Sequence, residues 1–256
     1  MERVRRPWWD YDNSERRDVK FVAMFDVLGF KALVRARRLD EVVALMERTQ
    51  FAAAFHAGEF SGESSSYYGG EGGLLVQTRL LSDTVVMWTP DARKRSFRGI
   101  VWAAGRLMAE SLLRGVPLRG AISAGPLHVG DRGDLIVGEA LVTAYELEQD
   151  QAWAGAAVDD HAELEADDEV PNSIDRGLVS YPPPSKSGTQ HPPLCVDWPL
   201  HLKSTIGWER IASAWPSCEN EADELKRSHT RKFFEHSRSR KRSFDASDMP
   251  GLHAVE

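Results

Sequence analysis

Between Phe21 and Phe30 the chain reads FVAMFDVLGF. A short run this apolar suits the buried centre of a sheet and little else. Asp26 breaks the pattern. A carboxylate inside a buried strand is costly unless a metal ion, a cationic partner or backbone donors compensate it. Gly29 then turns the chain. The first demand on the remaining residues is to supply what compensates Asp26.

The bulk numbers leave room for one large core: 256 residues, 42% of them hydrophobic. No apolar run approaches the roughly 18 residues of a spanning helix, so no membrane segment is expected. The basic start, Met1 to Pro7, is not followed by an apolar stretch, and no signal peptide is expected. Cys195 and Cys218 read as free thiols in a reducing cytoplasm. A net charge of −7 is mild for this size and gives no argument for nucleic acid. Charge is unevenly spread. Residues 159–169 carry seven acids and no Lys or Arg, and residues 226–242 carry eight bases and one acid, Glu235. Both runs read as solvated faces.

The organisation expected is an arm over residues 1–19, a domain over 20–236 and a basic, disordered tail over 237–256. The arm would pack through Trp8, Trp9 and Tyr11. Strand Lys20–Asp26 leads through Gly29 into helical sequence from Phe30 to Phe55, broken near Arg38–Asp40. A Gly/Ser-rich loop is expected over 57–73. Leu74–Trp88 reads as a hairpin turning at Ser82-Asp83. Ser96–Arg114 follows as a helix, with Phe97, Ile100, Val101, Ala104, Leu107, Met108 and Leu112 on one stripe. Leu118–Ala124 is a strand, Leu127–Val137 a second hairpin and Gly138–Trp153 a helix. Ala156–Val158 is a weak strand. A Pro-rich extended segment spans 181–193, a strand begins at Leu194, and a helix runs from Glu219 to Phe234. Paired strands alternating irregularly with helices indicate an α+β fold with a mostly antiparallel sheet.

Asp83, at the hairpin turn, is the second carboxylate in an apolar setting. Facing Asp26, it would form the kind of oxygen pair that Mg²⁺ takes from protein, with substrate phosphates completing its shell. Asp at a hairpin turn is also ordinary turn chemistry. Spacing alone leaves both readings open.

The blocks FDVLGF (25–30), LSDT (81–84), LRGAISAGP (118–126) and GEALVTAYELE (138–148) resemble, in order and spacing, the class III nucleotidyl cyclases. Their wording is most similar to the pyrimidine cyclases of bacterial Pycsar anti-phage systems. The resemblance runs from about residue 20 to 155. It implies a ferredoxin-like cyclase fold, a cytoplasmic homodimer with sites at the subunit interface, and two Mg²⁺ or Mn²⁺ ions per site. It implies UTP or CTP as substrate and cyclic UMP or cyclic CMP as product, acting on a separate effector. Asp26 and Asp83 match the family's metal aspartates, and the Val27 carbonyl matches a further metal contact. The N–H groups of Leu28, Gly29 and Phe30 match the phosphate-binding turn, and the missing Cβ of Gly29 would let a triphosphate approach. Arg79 stands where purine cyclases place a base-contacting lysine, and it reads equally well as an outward strand residue.

One departure is notable. Val142 and Glu146 stand where adenylate and guanylate cyclases carry the Asn and Arg that stabilise the transition state. Arg119 is the nearest basic candidate for that role, with Arg106 and Lys31 as outsiders. The departure fits either a pyrimidine cyclase with a differently built site or a catalytically inactive nucleotide-sensing relative. A nucleic-acid surface on the basic tail is the remaining rival.

Overall fold

Strand β1 (Val19–Val27) sorts its side chains to two faces, as the two-residue period of a strand requires. Phe21, Ala23, Phe25 and Val27 point into the larger core. Val22 and Met24 point into a smaller one on the opposite face, and Asp26 shares their side by alternation. The structure, a computed structural model, describes residues 19–68, 76–130, 133–160, 162, 177–218 and 220–240, without side chains for 58–68. The expected arm before residue 19, most of the acidic run and residues from 241 onward lie outside the described residues; residues 237–239, expected as disordered tail, are instead the end of the last described helix, with Ser237 buried.

Antiparallel neighbours flank β1 on both sides: β3 (Thr84–Trp88) and β4 (Leu118–Val129). Strand β2 (Gln77–Leu81) pairs with β3 through the Ser82-Asp83 turn. Strand β5 (Ile136–Gly138) folds back on the end of β4. Beyond β4 come β6 (Ala156–Val158), β8 (Leu194–Val196) and β7 (Leu178–Ser180), in the order β2-β3-β1-β4-β6-β8-β7. The β4–β6 pair is parallel and the other pairs are antiparallel. This is the expected α+β arrangement with a mostly antiparallel sheet.

Helices α1 (Phe30–Ala36), α2 (Leu39–Tyr68) and α3 (Lys94–Leu113) follow the predicted positions, with the break at 37–38. Helix α3 is buried along most of its length, and all seven residues of its predicted stripe are among those buried. Its core includes the inward side chains of β1 and α2. Helix α4 (Glu139–Asp150) covers the other face, where Ala140 and Ala144 meet Val22, Val86 and Leu127. Ser123 Oγ donates to the Ala140 carbonyl at 2.6 Å and ties the start of α4 to β4.

After the sheet come α5 (Trp208–Ala214) and α6 (Glu221–Ser239). Asn220 caps α6 by accepting the Asp223 N–H at 3.0 Å. Phe233 of α6 stands edge-on to Trp153, with centroids 4.8 Å apart, and also meets Tyr181. The Thr230 hydroxyl accepts the Ala154 N–H at 2.8 Å. Trp198 and Trp208 are core residues. The Pro-rich segment is extended, and its end is held where Ser185, Ser187 and His191 meet the Asp150 carboxylate.

One further expectation needs correction, and two elements went unread. Helix α2 continues to Tyr68, through sequence read as loop from 57; adding a residue to an existing helix gains a hydrogen bond without a new nucleation cost. Strand β7 is too short for any alternation to register in sequence. Helix α5 spans about two turns, fewer than periodicity can resolve. No helix among the described residues is long and apolar enough to cross a membrane, and both cysteines are free.

Close packing where β1 meets β4 gives a direct test. A Cβ on Gly120 would stand 2.3 Å from the Phe25 ring and 2.7 Å from the Met24 carbonyl oxygen. Gly120→Ala is expected to lower unfolding stability by about 1–3 kcal/mol in urea titration.

Candidate active site

Asp26 is the penultimate residue of β1, opposite Thr84 on one side and Arg119 on the other. The β2–β3 turn brings Asp83 to it. Ser82 takes φ +60° at the first turn position, the backbone sign that two-residue hairpins demand. The Val27 N–H donates to the Asp83 carbonyl at 3.2 Å, which pins the turn against the end of β1. The two carboxyl groups are near enough for the charge of one to act on the other. Burial first, then the charges of Glu148 and Asp83, push the Asp26 pKa up to about 6, against the pull of Arg119.

Arg119 is 6% exposed. Its Nε donates to Glu148, which is fully buried on α4. Its Nη1 donates to the Gln151 carbonyl at 3.3 Å. Its Nη2 stands 3.6 Å from Asp26 Oδ2, near enough for attraction and too far for a hydrogen bond. The Gln151 side chain donates to the carbonyls of Gly120 and Leu147 and accepts from the Trp153 indole at 2.7 Å. Glu148 Oε2 accepts from the Gln149 amide at 2.8 Å. Burial raises the Glu148 pKa, and Arg119 opposes that rise.

Glu148 and Gln151 did not stand out in the sequence, yet a signal was present. Ala140, Ala144 and Glu148 recur at four-residue spacing, so Glu148 is a carboxylate on the apolar stripe of its helix. It is the helical counterpart of Asp26 in its strand.

Gly29 caps α1 at φ +77°, and a Cβ there would meet nothing within 4 Å. Space next to the turn is therefore open. A cavity of about 220 Å³ adjoins it, lined by Val27, Leu28, Gly29, Leu33, Trp215 and Lys226 among others. The Leu28 N–H does not face that space. It donates to the Pro117 carbonyl at 2.9 Å, which corrects its expected role as a phosphate donor. Phe30 begins α1.

The other cations fall elsewhere. Arg79 is exposed on β2, two residues from the Asp26 rung on the same face, and its Nε donates to the Gly133 carbonyl at 3.2 Å. Arg106 lies on α3 across the sheet, almost buried, with its Nε on His56 Nδ1 at 3.3 Å. Lys31 is exposed on α1. Val142 and Glu146 both lie on the exposed side of α4.

Among the described residues, no group of three or more His, Cys, Asp or Glu is arranged to hold an ion by itself. Asp26 and Asp83 still fit a hard divalent cation. Their mutual repulsion is what a cation between them would relieve, and Mg²⁺ asks only one or two carboxylates of the protein when substrate phosphates supply the rest.

No family model matches the chain, and no characterised protein matches it in sequence. Solved structures do match. One is the dimeric guanylyl cyclase domain of the RhoGC fusion protein from the aquatic fungus Blastocladiella emersonii. It aligns with a TM-score of 0.51 at 13% identity, over 70% of this chain and 96% of that one. Another is the catalytic core of a rhodopsin-guanylyl cyclase with converted specificity, in complex with ATPαS. It gives 0.51 at 11% identity, over 70% and 95%. The chain has a class III nucleotidyl cyclase fold. At these identities the likeness establishes the fold, and the chemistry of the site rests on the residues themselves.

The Asp26 carboxyl provides a pH test. Its folded pKa of about 6 lies above the ordinary 3.8. The folded chain therefore keeps this proton longer than the unfolded chain, and stability falls as pH rises from about 4 to about 6. Asp26→Asn is expected to raise the melting temperature of the metal-free protein at pH 7 and to leave it nearly unchanged at pH 4. An equal gain at both pH values in thermal melts contradicts this placement of the charge.

Proposed function

We propose that the protein is a metal-dependent pyrimidine nucleotide cyclase, making cyclic UMP from UTP. The observation that carries the reading is the Asp26–Asp83 pair at the mouth of a cyclase-fold sheet, next to an open glycine turn. In the reaction, the ribose 3′-oxygen bonds to the α-phosphorus, the bond from that phosphorus to the β-phosphate oxygen breaks, and pyrophosphate leaves. The hydroxyl proton passes to solvent. Asp26 and Asp83, with the Val27 carbonyl, would hold the cations. Bound there, Mg²⁺ or Mn²⁺ supplies charge against the triphosphate and eases loss of the 3′ proton.

The chain's own residues position and exclude. Gly29 leaves its space to phosphate, and the N–H groups of Gly29 and Phe30 take the phosphate role, without Leu28. Arg119 adds a fixed positive field behind the carboxylates. Arg79, exposed on the same face, is the candidate for base recognition. Positioning and charge neutralisation are most of what phosphoryl transfer asks of a protein.

The pyrimidine preference comes from the likeness of the four sequence blocks to Pycsar cyclases, as do the cytoplasmic setting, the anti-phage role and the separate effector. CTP is the alternative substrate. The exposed Val142 and Glu146 on α4 favour a second reading, an inactive nucleotide-sensing module of the same fold.

The partner subunit is a second copy of this chain. Val142 and Tyr145 of α4, Val137 of β5, Leu135 beside it and Leu81 on the β2 edge are each at least half exposed. Large apolar side chains left this open suit a protein contact.

Incubating the purified protein with each of the four NTPs and Mn²⁺ or Mg²⁺ is expected to yield cyclic UMP from UTP, resolved by chromatography. Cyclic CMP would move the assignment to CTP, and no product from any NTP would move it to the sensing module. Val142→Asp is expected to weaken the dimer about tenfold or more in sedimentation analysis, with turnover falling in parallel. Full turnover by a monomer contradicts a shared site.

A further inference from the structure

We infer that Glu148 is a positioning residue whose task is to hold the Arg119 guanidinium off Asp26, keeping that carboxylate available to a cation. The inference rests on the reading of Asp26 and Asp83 as metal ligands.

The argument starts from the guanidinium. An arginine beside an aspartate normally closes on it with two parallel N–H donors, the strongest pairing open to either. Arg119 does not. It spends Nε on Glu148 and Nη1 on the Gln151 carbonyl. Only Nη2 is directed at Asp26, at 3.6 Å. A shift of under about 1 Å would bring that nitrogen into hydrogen-bond range. What prevents the shift is the pair of acceptors behind it.

Those acceptors are themselves fixed. Glu148 is fully buried on the sheet-facing side of α4, and Gln149 occupies its second oxygen. Gln151 is locked by Gly120, Leu147 and Trp153. The Ser123 bond at the other end of α4 fixes the helix against β4. Arg119 therefore stands between a buried acid, Glu148, and a partly buried one, Asp26, and is assigned to the first. A carboxylate clasped by a guanidinium fork would offer a metal few lone pairs. Asp26, held at arm's length, offers all of them.

Glu148→Gln keeps the shape and removes the charge that anchors Nε. Arg119 should then close on Asp26. In metal centres, loss of such an outer residue typically weakens affinity about 10–100-fold. The measurement is Mn²⁺ binding to the full chain, followed by electron paramagnetic resonance without turnover. Glu148→Gln is expected to bind Mn²⁺ at least about tenfold more weakly than wild type. The double variant Glu148→Gln/Arg119→Gln, which removes the clasping group as well, is expected to recover wild-type affinity. A residue serving only to stabilise the fold would not be rescued by a second core substitution. Glu148→Gln binding Mn²⁺ like wild type, or a double variant no better than the single, overturns the inference alone. Wild type that binds no Mn²⁺, with or without UTP, overturns the metal reading and the inference with it. Should Glu148→Gln not fold, Arg119→Gln decides. It is expected to bind Mn²⁺ no more weakly than wild type, and weaker binding overturns the inference.

Discussion

One guanidinium balances the charge at the mouth of this sheet. Arg119 is buried between Glu148 and Asp26, and Asp83 leans on the second of these. Burying charged groups costs several kcal/mol per ion unless the geometry compensates it. Much of the local architecture serves that geometry. Strand β4 places Arg119 on the rung of Asp26. Helix α4 is pinned at both ends, by Ser123 and by Arg119 itself. The residues just after α4 turn their carbonyls and amides inward to complete the polar shell.

The compensation is deliberately incomplete at Asp26. Glu148 has a charge-assisted partner; Asp26 has only the field of one, and burial together with the repulsion of Glu148 and Asp83 raises its pKa to about 6. That is a poor design for stability and a good one for a hard cation, which supplies the missing charge. The helical side of the sheet handles its buried charge differently, by pairing it: His56 meets Glu110 at 2.6 Å and Arg106 meets His56. The aromatic cluster of Trp153, Tyr181 and Phe233 packs ring against ring.

Much of this was legible in the sequence because it was written in local exceptions. Asp26 interrupts an apolar run, Ser82-Asp83 punctuates two apolar strands, and Gly29 follows a strand end. Each shows within ten residues. The elements near the site followed, since β1 is an apolar run, the hairpins are punctuated by turns and α4 is amphipathic. What escaped depends on distant partners. The Leu28 N–H is taken by Pro117, a bond no local pattern announces. Glu148 sits on a stripe whose meaning depends on Arg119 lying beneath it. The length of α2 and the existence of α5 and β7 escaped because Gly, Ser and short segments carry weak propensity. Arg106 looked like a free cation in sequence and proves to belong to the α2–α3 interface with His56.

The sheet register has a kinetic side. Asp26, Asp83, Arg119 and Glu148 come from a first strand, a hairpin, a later strand and a helix, and β1 pairs with neighbours far away in sequence on both sides. Closing such long loops must precede the contacts that reward it, which makes these pairings slow to form. The hairpin β2–β3 and helix α3 are local and can form early. The charge cluster cannot exist until β1 has been inserted between β3 and β4. The anionic site is thus a product of the completed sheet: no single hairpin or helix carries it.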